Sequence, residues 1–486
     1  MSIKQKAIKA VIWSAIQNWG SQAGSLIVFV ILARLLTPEA FGIVALANVF
    51  LAFMNIFLDQ GFAKALIQRQ DLEPEHLDTA FWTHVSSGII LTGLSFLTAG
   101  LVADLFDQPQ LIPILQCFSF LFFINSLSHV QKAILMREFA FKTMATRALL
   151  GIFIGGVAGI VMALWGFGVW SLVTQQFLYE SVEVFVLWGA SDWRPRFKFS
   201  IKHFKDLFSF GINIVILQFL NFFNKRSDNL LIGYFLGEVA LGYYAIAYRV
   251  FKVMTQLLVF TTKQVALPTF SRLQTEPERF RKAFYKATQF TSLVAFPTFM
   301  GMTILAPELV FVLFGKKWIP AVPVMQVLAF AGIINSISLF NGSVFMAMGK
   351  PSWKLKIGLL HTALNLVGFI VAVRWGIVAV ALAYVISSYI IFPISQWAIS
   401  KLIQTPLIIY LKQFTTPLVS SCLMMVCIFL AKKELSGLLN DKLLLGVCIF
   451  LGIMTYGLTI RIIDPKLFQE LLDITCGLSW LQKKNK

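Results

Sequence analysis

The sequence predicts an all-α polytopic membrane protein, on three observations. Hydrophobic residues make up 58% of its 486 positions and charged residues only 13%, where a soluble domain carries about 25% charged residues. Apolar runs of about 20 residues, long enough to cross a hydrocarbon core, follow one another with short loops between, and mean hydropathy is +0.77. Lysine and arginine then alternate from loop to loop. With the N-terminus placed inside and residues toward a span end counted with the nearest loop, about 30 of the 41 fall at that terminus or in every second loop, nine on the opposite side, and two, Arg249 and Lys252, deep within a span. That is the positive-inside bias, and it predicts both termini in the cytoplasm.

Fourteen spans are expected, near residues 10–33, 40–63, 80–103, 111–134, 145–165, 167–190, 207–233, 240–267, 287–314, 321–348, 353–374, 376–400, 412–431 and 442–463. The first is too long for a signal-peptide core and is expected to be retained. It carries a polar stripe, Ser14, Asn18, Ser21 and Ser25, on one helical face. Glue between helices or a cavity lining would both account for it. The second span ends on Asp59 with Lys64 close behind, either an inner gate or an interfacial ion pair. The third and fourth hold His84 and His129, and the eleventh His361, each expected in a solitary packing or a hydrogen-bonded role. Glu180 and Glu183 share one face of the sixth span, as proton carriers or as structural partners.

The seventh span carries Asn221, Asn224, Lys225 and Asp228 on a face, with Arg226 beside them. Full charges within a bilayer are hard to excuse as glue, since each costs about 2.5–3.5 kcal/mol on insertion scales. Arg249 and Lys252 lie one turn apart in the eighth span. With Lys225 and Arg226 they make four cations against one nearby acid, Asp228, a surplus that suits an anionic ligand. Snorkelling to the headgroups is the competing account for Lys225 and Arg226.

A faint repeat links residues 36–47 to 236–247: Leu36, Ala40, Gly42, Ala45 and Ala47 recur as Leu236, Ala240, Gly242, Ala245 and Ala247. Trp165-Gly166 recurs as Trp375-Gly376. The expected organisation is two pseudo-symmetric six-helix lobes, 1–200 and 201–404, as in parallel-repeat transporters. Two additional helices and a cytoplasmic tail, 405–486, follow. No span-free stretch is long enough for a soluble domain.

The formal net charge of +18 follows the loops and argues for topology and anionic lipid, not for nucleic acid. Cys117, Cys422, Cys427, Cys448 and Cys476 have neither CxxC nor metal-ligand spacing. No phosphate loop, nucleophile elbow or HExxH is present. The chain is therefore expected to be a non-enzyme with no cofactor and no metal.

Several runs resemble the polysaccharide exporters of the multidrug/oligosaccharidyl-lipid/polysaccharide superfamily. They are LLTPEAFGIVALA (35–47), LDQGFAKALIQRQDL (58–72), TAFW (79–82), MREFAFK (136–142), WGFGVWSLV (165–173), DNLLIGYFLGEVALGYYAIAYRV (228–250), ALPTFSRLQ (266–274) and GKKWIPAVPVMQVLA (315–329), with the turn Met348-Gly349-Lys350. The likeness covers roughly residues 5–400 and is nearest the Wzx-type branch with the colanic acid and teichuronic acid exporters. It implies two lobes around a central cavity in a bacterial inner membrane. It also implies flipping of undecaprenyl-diphosphate-linked oligosaccharides by alternating access, with membrane lipid, a polysaccharide polymerase and other envelope-assembly proteins as partners. On this reading Arg249, Lys252, Arg226 and Lys225 attract the diphosphate while Asn18, Asn221 and Asn224 touch sugar; Asp59, Lys64, Glu180 and Glu183 are the gate or coupling candidates. A cation-coupled drug or small-solute antiporter of the same superfamily is the rival reading, and a non-transporting scaffold the third.

Overall fold

The computed structural model describes residues 3–475 and, within them, every side chain except those of 3–12, 209–210, 213, 217, 257–265 and 474–475. Lys4, Lys6, Lys9 and Cys476 lie outside the described side chains. Every regular element among the described residues is helical, which follows from the sequence: an apolar run in lipid must satisfy its backbone groups within its own helix.

Helix α1 (Ile3–Leu35) gives way to α2 (Pro38–Asp59) at Thr37, whose hydroxyl accepts from the Ala40 amide while Pro38 fills the first turn. Gln60 and Gly61, both at positive φ, end α2 and admit the short α3 (Phe62–Gln68). Arg137 finishes α3, its guanidinium donating to the carbonyls of Leu66, Arg69 and Gln70 that a helix C-terminus leaves unpaired. Helix α4 (Pro74–Leu105) follows; α5 (Leu111–Ser126) and α6 (His129–Arg137) form one apolar stretch bent by 41°. Next come α7 (Phe141–Leu164) and α8 (Val169–Ala190), and then α9 (Ile201–Leu273), which is broken at Gly237 (φ 80, ψ 179). The break has a counterpart in the faint repeat: one helix starts at Pro38, the other restarts at 238.

The remaining helices are α10 (Pro277–Phe314), α11 (Val322–Ile337), α12 (Asn341–Ala347), α13 (Pro351–Ala372), α14 (Ile377–Ile403), α15 (Leu407–Lys412), α16 (Thr415–Leu435), α17 (Asp441–Ile463) and α18 (Pro465–Thr475). Among the described residues eleven helices are long and apolar enough to cross a membrane, or twelve with the bent pair α5–α6 taken as one. The fourteen expected from sequence exceed this because α9 contributes two spans there, and because α8, with Gln175, Gln176, Glu180 and Glu183, is too polar to qualify. Outward faces are apolar, with Leu97 80% and Phe153 68% exposed, as lipid-facing surfaces are.

The chain divides into two compact units, Met1–Ala245 with Phe369–Ile377, and Ile246–Gly368 with Val378–Lys486. Small residues knit the first. Gly20 and Gly24 of α1 meet Leu149 and Ile152 of α7. On α7, Gly151, Gly155 and Gly159 lie against Tyr179, Gln175 and Ser171 of α8, a small-residue stripe that lets two membrane helices approach closely. In the second unit α16 and α17 pack on α10 through Leu305, Met424, Ile428, Leu444 and Cys448. Lys432 pairs with Glu308 at 2.8 Å, and Tyr456 donates to the Leu293 carbonyl at 2.7 Å. A buried polar network ties α12, α14 and α15: Asn341 to Ser395 at 2.9 Å and Gln396 to the Tyr410 hydroxyl at 3.2 Å.

Candidate functional site: a polar pocket in the first unit

Four helices of the first unit line a cavity of about 150 Å3. Helix α2 presents Asn48, Leu51, Ala52 and Asn55, spaced so that one face meets the cavity. Helix α5 gives Leu121, Phe122 and Asn125 just before its bend, α8 gives Gln176 and Glu180 one turn apart, and α9 gives Arg226. The glycine stripe of α7 fixes α8 by its Ser171–Gln175–Tyr179 face. The adjacent face, with Gln176 and Glu180, is left to the cavity.

The two acids of α8 have separate fates. Glu183 is buried and closed off, accepting from Arg147 at 2.6 Å and from the Tyr179 hydroxyl at 2.9 Å. Glu180 has Lys132, Arg147 and Glu183 as charged neighbours, yet it forms no ion pair among the described residues. Neither does Arg226, although both line one pocket. Residues assigned from sequence to coupling and to substrate binding therefore share a cavity.

The other candidates are placed as follows. Asp228 is buried; it accepts from the Tyr244 hydroxyl at 2.9 Å and from the Asn229 amide at 2.8 Å. Asp59 accepts from Gln218 at 2.7 Å, and Lys64 is exposed, so the expected Asp–Lys pair gives way to a tie between α2 and α9. Asn18 donates to the Ser14 carbonyl of its own helix at 2.8 Å. Lys225 and Asn221 are exposed and Asn224 is half-buried. Arg249, half-buried, and Lys252, exposed, stand one turn apart in the second unit, whereas Lys225 and Arg226 belong to the first.

His84 and His129 are not solitary, since their rings stack at 4.6 Å with 16° between planes, while His84 takes a hydrogen-bonded role. The bend between α5 and α6 brings His129, the first residue of α6, beside α4. His84 Nδ1 lies 3.0 Å from the Leu58 carbonyl, an acceptor, so the neutral ring carries its proton there. His361 faces Tyr384 at 6.5 Å.

Outside the spans, Glu73, His76 and His203 gather with ligand-capable atoms within 4.8 Å of one another. The cluster is a helix cap and a tie. His76 Nδ1 accepts from the Glu73 amide at 3.2 Å, which places the proton of the neutral ring on Nε2, the atom a metal would need bare. Glu73 accepts from His203 Nε2 at 2.9 Å, and this hydrogen bond holds the Glu73 carboxyl below the usual glutamate range.

Sequence reasoning missed Asn48, Asn55, Asn125 and Gln176. Their signal was present: neutral amides within apolar runs, at spacings of seven on α2 and four from Glu180 on α8.

Residues 31–323 match the family described as Polysaccharide biosynthesis protein. The chain is 26% identical to the teichuronic acid biosynthesis protein TuaB of Bacillus subtilis (strain 168), over 88% of this chain and 89% of the relative. It is 27% identical to the succinoglycan biosynthesis transport protein ExoT of Rhizobium meliloti (strain 1021), over 95% and 94%. It is 25% identical to the lipopolysaccharide biosynthesis protein WzxC of Escherichia coli (strain K12), over 82% of each. The fold is similar to the inward closed conformation of the lipid II flippase MurJ, with a TM-score of 0.76 at 16% identity over 95% of this chain and 100% of that one. It is similar also to an inward-facing multidrug resistance MATE family transporter of the MOP superfamily, at TM-score 0.60 and 16% identity over 82% and 99%. With more than half its length matched, the chain belongs to the polysaccharide biosynthesis protein family and has the all-α membrane-transporter fold of the MOP superfamily.

Proposed function

We propose that the chain flips undecaprenyl-diphosphate-linked oligosaccharide repeat units from the cytoplasmic to the outer leaflet of a bacterial cytoplasmic membrane, by alternating access, for polysaccharide biosynthesis and export. One observation carries the reading: nearly the whole chain is similar to relatives named for teichuronic acid and succinoglycan biosynthesis. The fold shared with a lipid II flippase supports it. Fourteen crossings with both termini cytoplasmic, lobes at 1–200 and 201–404, and the added segment 405–486 belong to the same proposal. Arg249, Lys252 and Lys225 attract the diphosphate, since a cation held within a bilayer favours an anionic partner; Arg226, grouped with them from the sequence, lines the polar pocket with Glu180. Asn18, Asn221 and Asn224 contact sugar. Membrane lipid surrounds the transporter, and a polymerase takes up the flipped unit.

The rival antiporter reading needs acids free to hold an organic cation. Asp59, Glu183 and Asp228 are engaged by Gln218, Arg147 and Tyr244, and Glu180, in no ion pair among the described residues, shares its cavity with the guanidinium of Arg226, which counts against it. Deleting the gene tests the proposal. Lipid-linked repeat units are expected to accumulate and polymer to cease, with recovery on restoring the chain. Normal polymer with lost drug resistance would favour the antiporter.

A further inference from the structure

We propose that the pocket between α2, α5, α8 and α9 of the first unit is a recognition site for one neutral sugar ring of the carried glycan. The inference rests on the flippase reading and names what that reading leaves open, the part of the molecule that tells one glycan from another.

The mix of polar groups sets the ligand class. Glu180 and Arg226 line the same cavity without an ion pair between them. A neutral group bearing donors and acceptors satisfies both, donating a hydroxyl proton to Glu180 and accepting from Arg226. The neutral side chains narrow it further. Asn48, Asn125 and Gln176 each offer an amide donor and an acceptor, a pattern that matches adjacent ring hydroxyls. Phe122 and its neighbour Leu121 supply an apolar wall for the C–H face of a ring.

Size agrees. A cavity of about 150 Å3 lined by ten residues is of the order of a single sugar ring. Rigidity agrees as well, because the glycine stripe of α7 and the Arg147–Glu183 pair fix α8 behind the site. A site built to hydrogen-bond a hydroxyl rejects a ligand lacking it, because its own buried polar groups are left unpaired.

The test uses the full-length protein in detergent and methyl glycosides of each sugar released by hydrolysis of the producing cell's own polysaccharide. Saturation-transfer NMR reports their binding, and reconstituted vesicles report flipping of the lipid-linked oligosaccharide. At least one glycoside is expected to bind wild type. Gln176→Leu and Asn125→Leu are each expected to weaken that binding about tenfold, the effect of about 1.4 kcal/mol, and to slow flipping. Asn48→Ala, a milder truncation, keeps the test open should either leucine variant misfold, and elution profile and helicity check folding. No bound glycoside, or binding unchanged in folded variants, overturns the inference even where wild type flips its lipid. Wild type that flips nothing overturns the flippase reading instead.

Discussion

Gly42 and Gly242 form a reciprocal crossing: a methyl group on Gly42 would stand 1.7 Å from the Glu238 carbonyl oxygen, and one on Gly242 would stand 2.0 Å from that of Pro38. The positions correspond at the repeat offset of 200, so the start of α2 and the restart of α9 approach each other backbone to backbone through equivalent glycines. Gly42→Ala and Gly242→Ala are each expected to destabilise by about 1–3 kcal/mol through overpacking. The double variant is expected to lose less than the sum, since both act at one contact. Gly93→Ala, with nothing within 4 Å of the added carbon, is expected to stabilise by up to about 1 kcal/mol through helix propensity. Thermal unfolding in detergent distinguishes them, and equal loss in all three would show that the close approach is not what matters.

The two carboxylates of α8 are expected to separate under mutation. Glu183→Gln leaves Arg147 buried without its ion partner, a loss of about 3–5 kcal/mol by the pattern of broken buried pairs. Glu180→Gln breaks no ion pair and is expected to leave stability near wild type while altering transport. Membrane abundance and unfolding temperature measured together check this. A Glu180 variant less stable than the Glu183 variant would contradict the assignment.

The tie between Glu73 and His203 predicts a pH dependence. The hydrogen bond from His203 lowers the Glu73 carboxyl below its ordinary value of 4.5. A depressed folded value means that the contribution is fully present above the ordinary value and is lost as pH falls through the folded one. Wild type and Glu73→Gln are therefore expected to differ in unfolding temperature near neutrality and to converge in acid. A gap that persists in strong acid would show that the cap, and not the charge, sustains it.

Arg249 carries the diphosphate proposal. Arg249→Ala is expected to lower export with membrane abundance similar to wild type. Arg249→Lys keeps part of the activity if charge suffices, and little if a two-pronged guanidinium grip on phosphate is required. Export at the wild-type rate in Arg249→Ala would remove this residue from the site.

Much of this was legible in the chain. Apolar length and loop charge specify a helical membrane protein, because the bilayer leaves a single apolar segment no other structure. The match of residues 36–47 to 236–247 was legible as a repeat, and the structure brings its equivalent glycines, Gly42 and Gly242, together. The site was less legible, for a physical reason. Periodicity tells which residues share a face of one helix but not which faces meet, so Glu180 and Arg226 were read apart although they line one pocket. Asp228 looked like the counter-ion of a cation cluster, yet Tyr244, across the Gly237 break, holds it. His84 and His129 looked single because the bend that stacks them leaves little mark in an apolar run. The amides Asn48, Asn125 and Gln176 carry no charge, and in a sequence they are indistinguishable from ordinary interhelical glue.

The most direct test of the central claim is flipping by the purified chain in vesicles loaded with undecaprenyl-diphosphate-linked oligosaccharide, under an imposed potassium-diffusion potential and no pH gradient. The diphosphate carries about two negative charges, and an inside-negative potential favours its outward movement by about 2.3 kcal/mol per charge per 100 mV. This sets an upper bound of about 4–5 kcal/mol per 100 mV, reduced by any cation that travels with the lipid. The account predicts headgroup exposure on the far leaflet well above that of protein-free vesicles, accelerated by that potential. Exposure no faster than in protein-free vesicles, under either a potential or a pH gradient, would contradict it.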